Sequence, residues 1–300
     1  MNILVTGSNG FLGRNVCDEF VRNGHTVYGV SRSISSRVSE VIQHVCDITD
    51  SETMNRIVSE KSIDIIVHLA GKPIVFDCEK NPFDAYRTNG LGTASVLESA
   101  RVNEVSKVLS IETDKVYGFQ DEVPTDESAT FNPGSPYEFS KVLAANFAEW
   151  YRNYYNINVI SVRPANLFGP YDFSTSRLIP SALNNLKVGK GIRVYESALE
   201  MKRDFVYVSD AVKSIYNLAT KECNFNEYNI SNDDPMTIKE TADRIVSALG
   251  IDIPHVIEKK SGSFKEIPLQ EINGSRLSEE FGFEFTPFDQ AIQETWERIK

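Results

Sequence analysis

The segment NILVTGSNGFLG, residues 2–13, decides how the chain is read. NILVT is a short, nearly unbroken apolar run, the signature of a strand buried on both faces. It passes directly into three glycines, Gly7, Gly10 and Gly13, and residues 11–23 then take up helical spacing. A strand, a glycine turn and a helix N-terminus form an anion site, because backbone amides converge there and no side chain blocks a pyrophosphate. The same glycines could close a tight turn and nothing more. Their place between a strand and a helix favours a bound dinucleotide.

Outward from this unit, HTVYGVSR (25–32), DIIVHLAG (64–71), KVLSIET (107–113) and INVISVRPAN (157–166) read as further strands. Amphipathic segments separate them, notably 84–102 and 136–154. The alternation predicts an α/β fold: a Rossmann-type doubly wound parallel sheet, covered on both faces and joined by right-handed crossovers. After about residue 166 the regularity fades into Gly-, Pro-, Ser- and Asn-rich loops with short elements. A smaller α/β C-terminal substrate domain is expected there. The predicted division gives 1–165, with about 206–232, to the dinucleotide-binding domain, and 166–205 with 233–300 to the substrate domain.

Composition removes several classes of function. A formal net charge of −11 opposes nucleic acid binding, which needs a basic surface. No apolar run approaches the roughly 18 residues of a membrane span, and no basic stretch or cleavage site precedes the first strand. Cys17, Cys46, Cys78 and Cys223 have no metal-ligand spacing, so reduced structural thiols in a cytoplasmic protein are expected, with no metal.

The second strand ends in GVSRS, where an NAD-selective unit places a carboxylate for the ribose 2′-hydroxyl. Ser31 and Arg32 stand there instead. A guanidinium suits a 2′-phosphate, so NADP is expected as cofactor, with NAD the alternative. Asp47, in CDITD after the third strand, could reach the adenine amine or cap a helix.

SPYEFSK places Tyr137 and Lys141 four apart, on one face of a helix. An ammonium beside a phenol favours the phenolate, which can take a proton from a sugar hydroxyl while hydride leaves the same carbon. Together with the glycine loop and a hydroxyl residue at a strand end, this pair is a strong signal.

With TGSNGFLG (6–13), CDITD (46–50), HLAG (68–71), TNGLGT (88–93), TDKVYG (113–118), PYEFSK (136–141), RPANLFGP (163–170) and RDFVYVSD (203–210), the chain resembles the extended short-chain dehydrogenase/reductases that act on nucleotide sugars. The resemblance covers essentially the whole sequence. It implies Thr113, Tyr137 and Lys141 as catalytic residues. It implies a cofactor site of Gly7, Asn9, Gly10, Phe11, Leu12, Gly13, Ser31, Arg32, Asp47, Ile48, Leu69, Ala70, Gly71, Tyr137 and Lys141. It places Asn89 near the reaction, Asn166 beside the substrate phosphates and Arg203 at the nucleotide or pyrophosphate. A nucleotide-sugar substrate is implied, as is a homodimer paired through a four-helix bundle built from 84–102 and 136–154. The region 171–202, with Arg177 and Arg193, and the segment 255–276 are expected to line the sugar-nucleotide pocket.

Within that family the two residues after the threonine look diagnostic. Asp114-Lys115 is similar to the pair in CDP-glucose 4,6-dehydratases and in inverting UDP-N-acetylglucosamine 4,6-dehydratases. The match is partial: the former are longer and do not usually carry RDFVYV, while the latter lack the VYG that follows here. Dehydration needs two groups beyond the triad. Once C4 is a ketone, a base must take the C5 proton and an acid must protonate the departing C6 hydroxyl. Lys115 is the expected base and Asp114 the expected acid, which requires Lys115 to act neutral and Asp114 to stay protonated near neutral pH. An idle ion pair in a loop is the bland reading of the same residues. The alternatives are an NADP-dependent reductase or 4-epimerase using the triad alone, and a non-catalytic dinucleotide sensor, which the intact Tyr137 and Lys141 disfavour.

Overall fold

The computed structural model describes residues 1–35, 40–259 and 267–299. Among these, seven strands form the central sheet: β1 (Asn2–Thr6), β2 (Thr26–Ser31), β3 (Ile42–Val45), β4 (Ile65–His68), β5 (Lys107–Ile111), β6 (Val159–Pro164) and β7 (Glu227–Ile230). Their order is β7-β6-β5-β4-β1-β2-β3, and every neighbouring pair is parallel. The order reverses at β1, which opens a crevice beyond the carboxyl ends of β1 and β4.

Both faces of the sheet are buried. Ile3 and Val5 join one apolar cluster while Leu4, between them, joins the other, because successive strand side chains point to opposite faces. Each such side chain contributes roughly 1.5–3 kcal/mol on burial. The helices that cover the sheet are α1 (Phe11–Arg22), α2 (Ser51–Glu60), α3 (Gly92–Val102), α4 (Pro136–Tyr155) and α5 (Val208–Thr220). Helix α1 packs with α5 on one face, and α2 packs with α3 and α3 with α4 on the other.

Two predicted elements differ from expectation, and both differences bear on the site. The segment 84–102 is not one helix: Pro82–Ala85 leads into a π-helical turn, Tyr86–Leu91, before α3 begins. Such a turn inserts a residue, and this one contains the buried Asn89. The predicted strand 157–166 stops at Pro164, and Asn166–Phe168 pairs instead with Phe205–Tyr207 outside the main sheet. By contrast α4 starts where its sequence dictates. Ser135 caps it by accepting from Glu138 N at 3.3 Å, Pro136 occupies its first turn, and Asn156 ends it in a left-handed conformation.

A small sheet outside the main one joins Met236–Thr237, Lys202–Arg203 and Leu269–Gln270, setting Arg203 and Gln270 side by side. Of the expected pocket segment 255–276, residues 260–266 lie outside the described residues. All four cysteines are free thiols. Among the described residues no helix is long and apolar enough to cross a membrane, and no cluster of ligating side chains could hold a metal ion. Leu91, Phe139, Trp150 and Tyr154 stand exposed beside or on α3 and α4, the helices where the resemblance expects a second subunit.

Candidate active site

The glycine turn is built as tightly as its sequence suggested. Gly7 has φ of 70°, and a Cβ there would lie 2.9 Å from Ala70 N. A Cβ on Gly13 would lie 2.1 Å from Gly7 O, and one on Gly10 would lie 3.1 Å from the same atom. Side chains are therefore excluded where the turn meets α1, whose first turn has no side-chain cap. The Leu69–Ala70 backbone is held against this turn by Thr6 Oγ1, which accepts from Leu69 N at 3.1 Å and Ala70 N at 3.2 Å. Thr6 is in turn locked to His68, a buried ring between two hydroxyls that burial pulls down to about 3, so it is neutral. Beneath the turn Asn9 donates to Ser31 Oγ at 2.8 Å, while Arg32 stands exposed beyond it. Phe11 and Leu12 open α1 and are half-buried. This cradle fits a dinucleotide pyrophosphate.

Asp47 is not a helix cap. Its Oδ1 accepts from Thr49 N and Oγ1 at 3.0 and 2.8 Å, which holds its carboxyl below the usual range, and Asp50 caps α2. Ile48 is buried, and its side chain fills the space a Cβ on Gly92 would need. At Gly71 a Cβ would lie 2.9 Å from Asn89 Oδ1 and 3.9 Å from Lys141 Nζ. Asn89 is a clamp. It accepts from Lys72 N at 2.7 Å and donates to Ser140 Oγ at 2.8 Å, tying the loop after β4 to α4.

Thr113, Asp114 and Lys115 follow β5, in a short 3-10 turn over Asp114–Tyr117. The Thr113 hydroxyl donates to Asp114 Oδ1 at 3.0 Å. Tyr137 lies beside Thr113. Burial raises its phenol first, the Thr113 hydroxyl opposes that, and the nearby Asp114 carboxyl raises it further. Here the structure corrects the sequence expectation that Lys141 draws the phenol down. Lys141 Nζ donates instead to Ile111 O at 3.1 Å, and burial lowers that amine against the pull of the Glu112 carboxyl. Asp114 is buried, and burial pushes its carboxyl up despite Lys115, Thr113 and Arg203. Its proton is therefore held more firmly than in water, as an acid needs.

Lys115 does not point into bulk water. Its Nζ donates to Gln270 Oε1 at 2.8 Å, and Gln270 Nε2 donates to Asp114 Oδ2 at 2.5 Å. Gln270 was not singled out by sequence. It lies more than 150 residues from its partners, in a two-residue strand without periodicity. Also unanticipated was the buried support behind β5. Arg163 donates to Glu112, Tyr117 and Glu227 at 2.9–3.0 Å, locking β5, β6 and β7 where the reactive turn begins.

The expected substrate residues divide. Arg203 is buried and bears electrostatically on Asp114, and Asn166 donates to Asp204 O at 3.2 Å beside it. Arg177 is held by Asp172 at 2.7 Å, lies 5.7 Å from the Phe11 ring centre and bears on Tyr137. No contact among the described residues ties Arg193 to this cluster. It forms a two-pronged pair with Glu258 at 2.8 and 2.9 Å on a largely exposed ribbon.

The family model described as the NAD dependent epimerase/dehydratase family matches residues 3–231. The chain belongs to that family. Members and relatives are nicotinamide-dependent enzymes of nucleotide-sugar chemistry, dehydratases and epimerases alike, and the chain is an enzyme of this extended short-chain dehydrogenase/reductase class. It is 31% identical to a dTDP-glucose 4,6-dehydratase of Escherichia coli over 291 residues, covering 86% of the chain and 80% of that protein. It is 26% identical to a UDP-glucose 4-epimerase of Mycolicibacterium smegmatis, covering 95% and 93%. Among solved structures it matches UDP-glucose 4-epimerase of Thermotoga maritima with UDP-glucose at a TM-score of 0.92, with 25% identity over 100% of this chain and 98% of that one. It matches dTDP-glucose 4,6-dehydratase of Bacillus anthracis in complex with NAD at 0.85, with 27% identity over 100% and 96%.

Proposed function

We propose that the chain is a nucleotide-sugar 4,6-dehydratase, converting an NDP-hexose to the 4-keto-6-deoxy product. The observation that supports this most is the inward pair Asp114 and Lys115, joined through Gln270 beside Tyr137. When bound in the glycine cradle, the dinucleotide supplies the chemistry of accepting hydride from C4 and returning it to C6. Tyr137 takes the C4 hydroxyl proton and Thr113 orients that hydroxyl. Lys115 takes the proton made acidic at C5 by the neighbouring ketone, and Asp114 delivers one to the departing C6 hydroxyl. Arg203 and Asn166 bind the phosphates. The turnover is redox-neutral, so the cofactor stays in place.

The 4-epimerase reading has its own support in the likeness to the epimerases of M. smegmatis and T. maritima. It leaves Asp114 and Lys115 without a task. Incubating the pure protein with CDP-, UDP-, GDP- and dTDP-hexoses, with no reduced cofactor added, is expected to give one product lighter by one water. Conversion of a donor at unchanged mass would instead establish the epimerase.

For the cofactor we propose NADP, from the exposed Arg32 where NAD-selective units carry a carboxylate. The dinucleotide released on denaturing the purified protein is expected to carry the third phosphate. Recovery of NAD alone would overturn this reading of Arg32.

A further inference from the structure

The turnover proposed above leaves a proton out of place. Tyr137 gains one from the C4 hydroxyl, and Asp114 loses one with the departing water. Lys115 ends as it began, because the proton it takes from C5 must return there once hydride has reached C6. Before a second hexose can react, a proton has to travel from the phenol to the carboxyl. Thr113 links the two. Its hydroxyl donates to Asp114 Oδ1 at 3.0 Å, and the same hydroxyl bonds the Tyr137 phenol, easing its ionisation.

We propose that Thr113 is the conduit that resets the site by carrying a proton from Tyr137 to Asp114, and this rests on the dehydratase reading. The Tyr137 O–H bond breaks as its proton joins Thr113 Oγ1, and the proton already on that oxygen passes to Asp114 Oδ1. Phenolate and carboxylic acid are restored without a change of net charge. Over the cycle one proton enters from the C4 hydroxyl and one leaves in the water from C6. No outside acid or base is consumed.

The surroundings of Asp114 favour this path. The carboxyl is buried, so bulk water is a slow donor. Its Oδ2 accepts from the Gln270 amide at 2.5 Å, and an amide N–H does not hand its proton on. The Arg203 guanidinium that bears on it keeps its protons at any working pH. A hydroxyl both accepts and donates, so it can pass a proton while staying in place. Thr113 follows β5 in extended backbone, and its Oγ1 accepts from Lys115 N at 3.4 Å as the 3-10 turn begins. That leaves one lone pair for the phenol and the single hydrogen for Asp114.

The first turnover of rested enzyme, held in excess over substrate, is to be compared with the steady state. If the hydroxyl only orients the sugar, its removal slows every turnover alike. Loss of a conduit strikes the turnovers after the first. In Thr113→Val the ratio of first-turnover to steady-state rate is expected to rise about tenfold or more above native, and in Thr113→Ser to return to native. Thr113→Ala avoids branched bulk in the turn. Its steady-state rate is expected to gain about fivefold when imidazole buffer is supplied as a small proton carrier, and its first turnover nothing. Equal losses in both regimes, or an Ala variant indifferent to the carrier, would reduce Thr113 to an orienting group while the dehydratase reading stands. If the native enzyme releases no water from any nucleotide hexose, both fall together.

Discussion

Tyr137→Phe is expected to lower turnover by about 10²–10⁴-fold while the protein keeps its fold and its dinucleotide. Tyr137 is buried near the start of α4, packed with Cys78, Ala85 and Val75, and a phenyl ring fills the same volume. What is lost is one oxygen, the only part of the side chain that can exchange a proton with a sugar hydroxyl. That oxygen meets opposing influences: burial and the Asp114 anion raise it, while Thr113 and Arg177 lower it. Protonating Asp114 removes one of the raising influences. The form of Asp114 that suits the acid at C6 thus also eases ionisation of the base at C4. Kinetics on matched preparations, with bound dinucleotide measured in each, check the prediction. A Phe variant turning over at the native rate would remove Tyr137 from the chemistry.

The sequence carried the architecture wherever a physical constraint acts locally. NILVT followed by Gly7, Gly10 and Gly13 could be read because the Cβ clashes that demand glycine lie within a few residues, or against one neighbouring loop. The segment 136–154 agrees with α4 to within one residue, and the cap that fixes its start, Ser135 accepting from Glu138, is a contact only three residues long. The π-helical turn at Asn89 was not legible, since an inserted residue leaves the apolar pattern on both sides intact. Nor was Gln270, whose role comes from a two-residue strand docking beside Arg203. The direction of the Tyr137 phenol was misread for a related reason. Four-residue spacing puts Lys141 on the same helix face, but a carbonyl on β5 takes its ammonium, and burial outweighs the remainder. Arg193 shows the limit of counting cations along a segment: its partner Glu258 lies 65 residues on.

Replacing the two residues after Thr113 one at a time should separate the steps of the proposed elimination. Lys115→Met removes the C5 base, so hydride should leave C4 and stop there. Reduced nicotinamide is expected to persist, no deuterium should enter C5 from heavy water, and water loss should fall by about 10²-fold or more. Asp114→Asn keeps the base and removes the acid, so C5 should exchange with deuterium while water loss falls by a similar factor. The pH dependence follows from the direction in which Asp114 is shifted. Burial raises its carboxyl, so the acid form is present below that raised value and disappears as pH climbs through it, giving an alkaline fall in rate that Asp114→Asn lacks. Stability offers a control of opposite sign. A carboxyl raised on folding favours the fold fully only below its unfolded pKa, and that contribution is lost as pH rises through the folded value. At neutral pH the native protein therefore bears the cost of burying Asp114, and Asn does not. Asp114→Asn should melt no lower than the native protein even as its activity fails. Should both variants turn over substrate normally and without C5 exchange, the carboxyl and amine are spectators, and what remains is hydride transfer at C4 with return to the same carbon.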